Sequence, residues 1–354
     1  HTMSRQRRNT RPLDDIPSLF DDLSIDMTLG HYRGDASTRH QAEAELLASE
    51  RAKAAAAGAS DDLTLKLKEV SATDRLMFVS FGSGSSGNCA YIGTRSQGLL
   101  IDAGVAPETV KKLMADNGLD YNSIRGILLT HDHGDHMRYA YKLLRKQTHM
   151  MLYTTPKALN GLLRRHSISS RIKDYHHPIY KEHLYRIGDF EVTAFETSHD
   201  GTDNMGFFIQ FGPHHKFAVV TDTGFVTERA DHYMRQARYI MLESNYDAGM
   251  LKHGPYTEIL KSRISSASGH LDNADAAGYL ARIYTPQLTH VFLCHLSNDN
   301  NTPELALEAS RRALADTGIA VGDGSGSPES QRAQIQLTAL PRYDASPLYV
   351  FREP

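Results

Sequence analysis

Three histidines and two aspartates occur within six consecutive residues, His131-Asp132-His133-Gly134-Asp135-His136. They directly follow an apolar run, residues 126–130, that is typical of a buried strand. Imidazole and carboxylate groups at a strand end cannot be buried without solvent or a metal ion to satisfy them. They are also the groups that zinc and similar divalent ions prefer. The segment therefore predicts a metal site, with a solvated polar loop as the alternative.

The spacing divides these side chains between two ions. His131 and His133 can point to one ion, while Asp135 and His136, one turn further on, can point to a second. Later strands add three residues at their ends in the required order, and these are His199, Asp222 and His295. We expect His199 to complete the first site, His295 to complete the second, and Asp222 to bridge the two. These ligands accept zinc or manganese, and also iron.

Strands and helices alternate from about Leu76 onward and must position these ligands. Apolar runs predict strands at residues 126–130, 150–153, 190–195, 205–211, 216–221, 239–243 and 289–294. Helical patterns lie between them at residues 107–117, 137–146, 156–166, 273–284 and 304–317. A Gly/Ser loop precedes a predicted final strand pair, residues 335–340 and 347–351. The mixture predicts the α/β class, with two sheets covered by outer helices in an αββα sandwich.

A glycine-rich stretch at residues 77–93 offers a competing interpretation. Gly82, Gly84 and Gly87 fit the G-x-G-x-x-G fingerprint of dinucleotide binding, and Asp102 follows at a suitable distance. That fingerprint needs a helix immediately after the glycines. Here two strand-like runs follow, separated by a turn, so the sequence predicts a hairpin instead. The glycine loop is then either a tight turn or an anion-binding nest for a phosphate.

The first 72 residues differ from the rest of the chain. They hold an arginine-rich start, a polar stretch and an alanine-rich segment at residues 41–57, with few large apolar side chains. We interpret residues 1–72 as an N-terminal extension, partly helical and partly disordered, and residues 73–354 as one folded domain. His1-Thr2-Met3 is interpreted as the remnant of an expression tag.

Composition narrows the class of protein. The net charge of −3 argues against a uniformly basic nucleic-acid coat, and two cysteines are too few for a disulfide framework. No apolar run reaches the roughly 18 residues of a membrane span, and no cleavable signal pattern is present. We therefore expect a cytoplasmic protein without a membrane partner.

The pattern H-x-H-x-D-H, followed by His, Asp and His at strand ends, resembles the signature of the metallo-β-lactamase fold superfamily from about Leu76 onward. Four shorter blocks, residues 81–88, 242–247, 269–273 and 294–298, are similar to its YycJ/WalJ-like branch. The resemblance implies the metallo-β-lactamase fold and a 5′-to-3′ DNA exonuclease activity, with relatives that process tRNA or cleave phosphodiesters. The N-terminal extension has no counterpart in this pattern, which leaves a protein partner for it open.

Two adjacent divalent ions would activate a shared water, so a metal-bridging hydroxide is the predicted nucleophile. We assign catalytic roles to His270 and to Asp135, which is also a ligand. His270 resembles the histidine that contacts the scissile phosphate in tRNA-processing relatives, and we expect a general acid or a phosphate clamp there; a helix-capping histidine is the alternative. Asp102, Glu243 and Asn245 are expected to orient the ligands, although Glu243 also fits an ordinary strand end.

Residues 137–173 contain lysines and arginines but no Asp or Glu. A cationic surface directly after the metal loop suits a phosphate backbone, and neighbouring tyrosines suit stacking on bases. We assign nucleic-acid binding to Arg138, Lys142, Arg145, Lys146, Arg164 and Arg165, with Tyr139, Tyr141 and Tyr153 as stacking candidates. A solvated helix face is the alternative.

Three functions are therefore considered. The first is a dinuclear metal-dependent phosphodiesterase that degrades nucleic acid, DNA in particular, from the 5′ end. The second is a small-molecule hydrolase of the same fold, acting on a cyclic phosphodiester, thioester, lactone or β-lactam; an added helical domain would favour it, and no such pattern follows His295. The third is a non-catalytic protein that binds nucleic acid or a partner, with residues 1–72 as its docking arm; the complete ligand set counts against it.

Overall fold

A computed structural model describes residues 75–351 of the chain. Two mixed sheets form the centre of this fold. The predicted extension, residues 1–72, lies outside the described residues. The strands of the first sheet are β1 (Met77–Gly82), β2 (Cys89–Gly93), β3 (Gly98–Ile101), β4 (Ile124–Leu128), β5 (Met151–Thr154), β6 (His176–Pro178) and β15 (Tyr349–Val350). Their spatial order is β15-β1-β2-β3-β4-β5-β6. From β3 to β6 neighbouring strands run parallel, whereas β15, β1, β2 and β3 alternate in direction.

The second sheet has the order β13-β14-β12-β11-β10-β9-β8-β7. Its strands are β7 (Leu184–Ile187), β8 (Phe190–Glu196), β9 (Met205–Phe211), β10 (His215–Val220), β11 (Tyr239–Glu243), β12 (His290–Cys294), β13 (Val321–Gly322) and β14 (Ile335–Ala339). Strands β7 to β10 form an antiparallel meander, and β10, β11, β12, β14 and β13 are parallel to one another.

Helices cover both outer faces. They are α1 (Pro107–Asp116), α2 (Gly134–Met137), α3 (Ala140–Lys146), α4 (Pro156–Arg165), α5 (Glu228–Met234), α6 (Ala248–His253), α7 (Glu258–Ile264), α8 (Asn273–Ile283), α9 (Pro303–Asp316) and α10 (Pro328–Gln331), with 3₁₀ turns at Tyr121–Ser123 and Ser170–Tyr175. Local chemistry fixes where several of them begin. Thr155 and Thr302 each accept a backbone N–H three residues on, just before a proline at the first helical position.

Three apolar layers hold the sandwich together. The central layer joins the facing sides of the sheets, for example Phe78 with Phe217 and Phe292 at ring-centroid distances of 5.0 and 4.7 Å. A second layer packs the first sheet against α1, α3 and α4, and a third packs the second sheet against α5, α8 and α9. The predicted αββα sandwich is confirmed. None of the helices described for residues 75–351 has the length and apolar character of a bilayer-spanning segment.

Three details of the sequence prediction were wrong. The predicted final strand pair does not form, because β14 belongs to the second sheet and β15 pairs antiparallel with β1 in the first. The predicted helix over residues 137–146 is split into α2 and α3 at Arg138 and Tyr139. The short strands β6, β7 and β13 were not predicted, since two to four residues carry too little periodicity.

The topology gathers several strand ends at one edge of the sandwich. Strand β3 ends just before Asp102, β4 before the histidine-rich loop, β10 before Asp222, and β12 before His295. Because the carboxyl ends of parallel strands open at the same edge of a sheet, side chains far apart in sequence meet there. That edge carries the candidate site.

Candidate metal centre

The histidine-rich loop follows β4 and passes directly into α2. His131 and His136 are buried, while His133 and Asp135 are partly exposed at the start of α2. His133 occupies the N-cap position, and Asp135 and His136 lie in the first turn, so their side chains project toward different parts of the same edge. This geometry separates the loop's side chains into two groups, as the spacing predicts.

Three side chains at strand ends lie on unusual backbone conformations. Asp102, Asp222 and His295 have φ angles of 61°, 51° and 54°. Residues other than glycine seldom adopt positive φ, and such strained positions concentrate at functional sites. The three residues follow three different strands and face the same centre.

Imidazoles alone form the first group. His131, His133 and His199 each offer a ring nitrogen, and these three atoms lie within 4.8 Å of one another. His199 Nε2 is 3.2 Å from His133 Nδ1. The Nε2 atom of His131 is buried and has no hydrogen-bond partner. Burial, with the neighbouring histidines, lowers the pKa of His131 and of His133, which favours the neutral ring that binds a metal.

A carboxylate and two imidazoles form the second group. Asp135 Oδ2 lies 3.4 Å from His136 Nε2 and 3.5 Å from His295 Nε2. The Nε2 atom of His295 is buried without a hydrogen-bond partner. Burial opposes protonation of His295, but the carboxylates of Asp222 and Asp135, with Glu243, raise its pKa to about 10. The group therefore attracts positive charge.

Asp222 lies between the two groups. Its Oδ2 is 3.2 Å from His136 Nε2, and its Oδ1 is 3.6 Å from His199 Nε2. Burial opposes ionisation of Asp222, but the surrounding histidines, His295 first, hold its pKa well below the ordinary value. One ionised carboxylate thus faces both groups, at the position predicted for a bridge.

The donor set fits divalent ions on two grounds. Two buried imidazole nitrogens without partners would each cost free energy unless a cation or another donor approaches them. The separations of 3.2–3.6 Å between facing ligand atoms also match the edge of a tetrahedron with bonds of 2.0–2.1 Å, which is about 3.4 Å. The structure brings all seven predicted ligands together in this arrangement.

A neighbour holds the other ring nitrogen of each histidine. His131 Nδ1 lies 2.9 Å from Thr130 Oγ1, and His199 Nδ1 lies 2.8 Å from the carbonyl oxygen of Gly269. His133 Nε2 is 3.3 Å from Asp200 Oδ1. Such contacts fix the orientation of a metal-binding ring and its tautomer.

Asp102 holds His136 in this way. Its Oδ2 is 2.7 Å from His136 Nδ1, and its Oδ1 accepts the backbone N–H of Thr130 at 2.8 Å. Burial raises the pKa of Asp102, and the facing His136 opposes this rise. Although burial alone would lower it, the pKa of His136 is raised well above its ordinary value by Asp222, Asp135 and Asp102. The carboxylate of Asp102 thus connects the end of β3 to the loop after β4.

Glu243 serves two histidines from a fully buried position at the end of β11. Its Oε1 lies 2.7 Å from His270 Nδ1 and 2.9 Å from His295 Nδ1, and its Oε2 accepts the backbone N–H groups of Thr223 and Leu271. Asn245 donates to the carbonyl oxygen of His295 at 2.7 Å. Glu243 is therefore not an ordinary strand-end residue, because four hydrogen bonds converge on it.

His270 lies beside the centre and opens to a cavity. Its ring centroid is 4.9 Å from that of His199 and 5.3 Å from that of His295. Burial opposes protonation, but Glu243 raises the pKa of His270. The helix-cap alternative does not hold, because Asp272 is the N-cap of α8 and accepts the N–H of Asp275. All three histidines line the same cavity, whose volume is about 220 Å³.

The predicted cationic surface is only partly free. Lys146 forms an ion pair with Glu108 of α1 at 2.6 Å, and Lys142 lies 3.5 Å from the same carboxylate. The Nε of Arg165 is 3.6 Å from Asp132 Oδ2 in the metal loop. A pattern confined to residues 137–173 gave no sign of these acidic partners, because they lie outside it.

The other residues assigned to this surface differ in their exposure to solvent. Arg138 and Arg164 are exposed and Arg145 is half-buried, so the first two are accessible to a ligand. The stacking candidates Tyr141 and Tyr153 were wrong, because both rings are buried in the apolar layers. Tyr139 is half-buried and packs against the second layer.

The glycine-rich loop contributes residues that sequence reasoning missed. The side-chain N–H₂ of Asn88 lies 3.1 Å from both Asp135 Oδ2 and His136 Nε2, and Ser83 Oγ accepts the backbone N–H of His295. The backbone N–H groups of Gly87 and Asn88 donate to protein carbonyls, so they are not available to an anion. The predicted β2–β3 hairpin follows the loop. The dinucleotide fingerprint therefore does not hold, whereas the loop forms a tight turn. An anion-binding nest built from the other amides of the loop stays a prediction.

Comparison with known proteins gives a consistent assignment. Residues 98–295, more than half of the chain, match the family described as "Beta-lactamase superfamily domain". The chain is 36% identical over 248 residues to "Exodeoxyribonuclease YycJ" of Bacillus anthracis, covering 70% of this chain and 92% of that protein. It is 32% identical over 241 residues to "Exodeoxyribonuclease WalJ" of Streptococcus pneumoniae, covering 68% and 88%. The resemblance to this branch is confirmed.

Solved structures agree on the fold. The metallo-β-lactamase fold protein YhfI of Bacillus subtilis superposes with a TM-score of 0.54 at 13% identity, covering 78% of this chain and all of that one. Zn²⁺-bound PqqB of Methylobacterium extorquens gives a TM-score of 0.54 at 16% identity, covering 77% and 99%. By its fold, its family match and its relatives, the chain belongs to the metallo-β-lactamase superfamily and is a hydrolase of that fold.

Proposed function

We propose that this protein is a 5′-to-3′ DNA exonuclease that depends on two divalent metal ions. The observation that carries the proposal is the pair of ligand groups with Asp222 within 3.6 Å of both. Two curated relatives that the chain covers over most of their length are named exodeoxyribonucleases, which supports DNA as the substrate.

In this proposal His131, His133 and His199 hold one ion, and Asp135, His136 and His295 hold the other, with Asp222 between them. When bound, two such ions lower the pKa of a shared water and stabilise negative charge on phosphate oxygens. Zinc, manganese and iron are all compatible with these ligands.

The protein's own residues complete the chemistry. Glu243 holds His270 through Nδ1, so Nε2 is the nitrogen that can face the scissile phosphate from the cavity wall. The raised pKa of His270 favours the protonated ring, which can donate to the leaving oxygen or bind a phosphate oxygen. Asp135 adds a carboxylate at the partly exposed side of the second group, where Asn88 fixes its orientation.

The alternative of a small-molecule hydrolase finds little support. After His295 the described residues contain α9, α10 and three short strands, which complete the sandwich and form no separate helical domain. Arg138 lies at the end of α2 and Arg164 lies on α4. Both side chains are exposed and suit contact with a phosphate backbone.

The test is a time course with a duplex labelled at either the 5′ or the 3′ end, with Mn²⁺, with Zn²⁺ or with chelator. We expect early release of labelled mononucleotide from the 5′ end only, with either metal. His133→Ala should abolish release, whereas His183→Ala, a matched change at an exposed histidine outside the site, should not. Early release from the 3′ end would overturn the direction, and intact DNA with metal-loaded protein would overturn the function.

A further inference from the structure

Helix α7 forms one side of the cavity in front of the metal centre, although none of its residues is buried. Short helices are normally held in place by burying an apolar face against the rest of the protein. Ile259 of this helix has 85% of its surface exposed. Ile259 is therefore exposed, and Leu260 and Ile264 are only partly buried beside the site.

Three apolar side chains of this region face the cavity. Tyr256, Leu260 and Ile264 are spaced four residues apart, and all three line the cavity together with His199, His270 and His295. Leu260 and Ile264 lie on one side of α7, because spacing by four keeps helical side chains together. Tyr256 precedes the N-cap of this helix, Thr257. We call Tyr256, Leu260 and Ile264 the apolar wall.

The Tyr256 ring is held in place but not covered. Its hydroxyl donates to Asp299 Oδ2 at 2.6 Å, and Asp299 lines the same cavity. The side chain is half-exposed, and among residues 75–351 it has no ring-stacking partner. A fixed, partly exposed aromatic ring at the cavity is suited to stack on a planar ligand.

The size of the cavity limits what can enter. Its volume of about 220 Å³ is below the roughly 300–1,000 Å³ of pockets for drug-sized ligands. A planar group the size of a single nucleobase fits this space, and the cavity is open to solvent on its other side. An unpaired terminal base is free to enter a cavity of this size.

We propose that the apolar wall stacks on the unpaired terminal nucleobase of the strand that is being degraded. This inference rests on the proposed function. Stacking tolerates every base because each presents a π-face, so the wall would favour an open strand end without selecting its sequence. Duplex ends would then react only after the terminal pair opens.

A cycle of enzyme and substrate changes tests the inference. Single strands carry either a normal or an abasic 5′-terminal nucleotide, and the enzymes are wild type, Tyr256→Leu, Tyr256→Phe and Leu260→Asn. Stacking on one base corresponds to about 5- to 150-fold in kcat/KM. We expect a loss of this size for Tyr256→Leu on the normal strand and almost none on the abasic strand. Tyr256→Phe, which keeps the ring but lacks the hydroxyl bonded to Asp299, should lose clearly less than Tyr256→Leu. Tyr180→Leu, at an exposed tyrosine outside the cavity, should change nothing.

The outcomes separate the inference from the proposed function. Equal losses on normal and abasic strands would show a structural role for Tyr256 and overturn the inference, and so would no loss in Tyr256→Leu and Leu260→Asn. If wild-type enzyme with bound metal degrades neither strand, the proposed function fails and the inference fails with it. Melting temperatures of all variants identify any that are unfolded, and Leu260→Asn then replaces Tyr256→Leu.

Discussion

Single carboxylates determine how the histidines present their nitrogens to a metal. Asp102 is buried and touches His136 Nδ1 at 2.7 Å, which leaves Nε2 toward Asp135 and Asp222. Glu243 does the same for His295 and His270. Residues of this kind usually change metal affinity by 10- to 100-fold when they are replaced.

We predict that Asp102→Asn lowers the affinity for Zn²⁺ or Mn²⁺ by about 10- to 100-fold. The neutral amide of asparagine accepts a hydrogen bond from His136 Nδ1 less strongly than the carboxylate does. Competition with a chromogenic chelator measures the affinity. Asp116→Asn on α1 is the control, since that exposed carboxylate pairs with Lys112 and lies outside the metal centre. Unchanged affinity in Asp102→Asn would show that the carboxylate has no role in positioning the ligand.

A second prediction at this scale concerns His290 on β12, away from the metal centre. Burial, and then the charge of Arg238, lowers the pKa of His290 to about 4, against an ordinary value of about 6.5. Between these pH values the unfolded chain binds more protons than the folded one, so the free energy of unfolding falls as pH drops. We expect a loss on the order of 2–3 kcal/mol across this window.

Urea unfolding at pH 7, 5.5 and 4.5 measures this effect. His290→Gln should show a shallower decline than wild type, while His183→Gln, at an exposed histidine, should follow wild type. The difference between variants isolates His290, since the metal centre titrates equally in each. Parallel declines for His290→Gln and wild type would contradict the assignment.

At the scale of elements, close backbone contacts connect the segment after β3, the glycine-rich loop and α2. Asn88 N–H donates to the carbonyl of Asp135, and Gly104 N–H donates to the carbonyl of Asn88. A Cβ at Gly104 would lie 1.7 Å from the carbonyl oxygen of Asp135 and 2.6 Å from the nitrogen of Asn88. Both atoms belong to backbone, so neither can turn away.

We therefore predict that Gly104→Ala destabilises the protein by about 1–3 kcal/mol or more and weakens metal binding, because α2 must shift with Asp135 and His136. Gly278→Ala in α8 is the matched control, since a Cβ there meets no atom within 4 Å. That control should be neutral or stabilising by up to about 1 kcal/mol. Equal unfolding midpoints in urea for the two variants would refute the prediction.

Sequence periodicity predicted the long elements well and the short ones poorly. Strands such as β9 and β11 appear as apolar runs with the bounds that the structure shows. The split between α2 and α3 has no signal in the pattern, because it follows from the tertiary position of the metal loop. The partner of β15 could not be read either, since two residues contain no information on pairing.

The candidate site was also only partly predictable from the sequence. Its histidines and aspartates follow strands directly, so their positions were visible in the sequence. Asn88 and Ser83 were not identified, because their contacts depend on a hairpin loop folding back onto α2 and β12. The same holds for Tyr256, since its place in the cavity depends on where the segment before α7 lies.

For the whole molecule, charge pairing between distant segments distinguishes the cations of the predicted nucleic-acid-binding surface. Glu108 on α1 neutralises Lys146, and Arg164 on α4 is exposed. Each phosphate contact by a cation contributes about one unit to the slope of log affinity against log salt.

We predict that Arg164→Gln weakens DNA binding and lowers that slope by about 1, while Lys146→Gln has a smaller effect because its charge is already paired. Fluorescence anisotropy over a salt series, with chelator present to prevent cleavage, gives both values. A larger effect from Lys146→Gln than from Arg164→Gln would place the DNA on the α1 side instead.

The most direct measurement follows bound metal and DNA hydrolysis in the same preparation. Metal is removed from the full chain and then added back in steps, with ions per chain and the rate of nucleotide release recorded at each step. We predict that release begins as occupancy approaches two ions per chain and stays absent in Asp222→Asn. Release in the metal-free protein, or no release at two ions per chain, would contradict a metal-dependent DNA exonuclease.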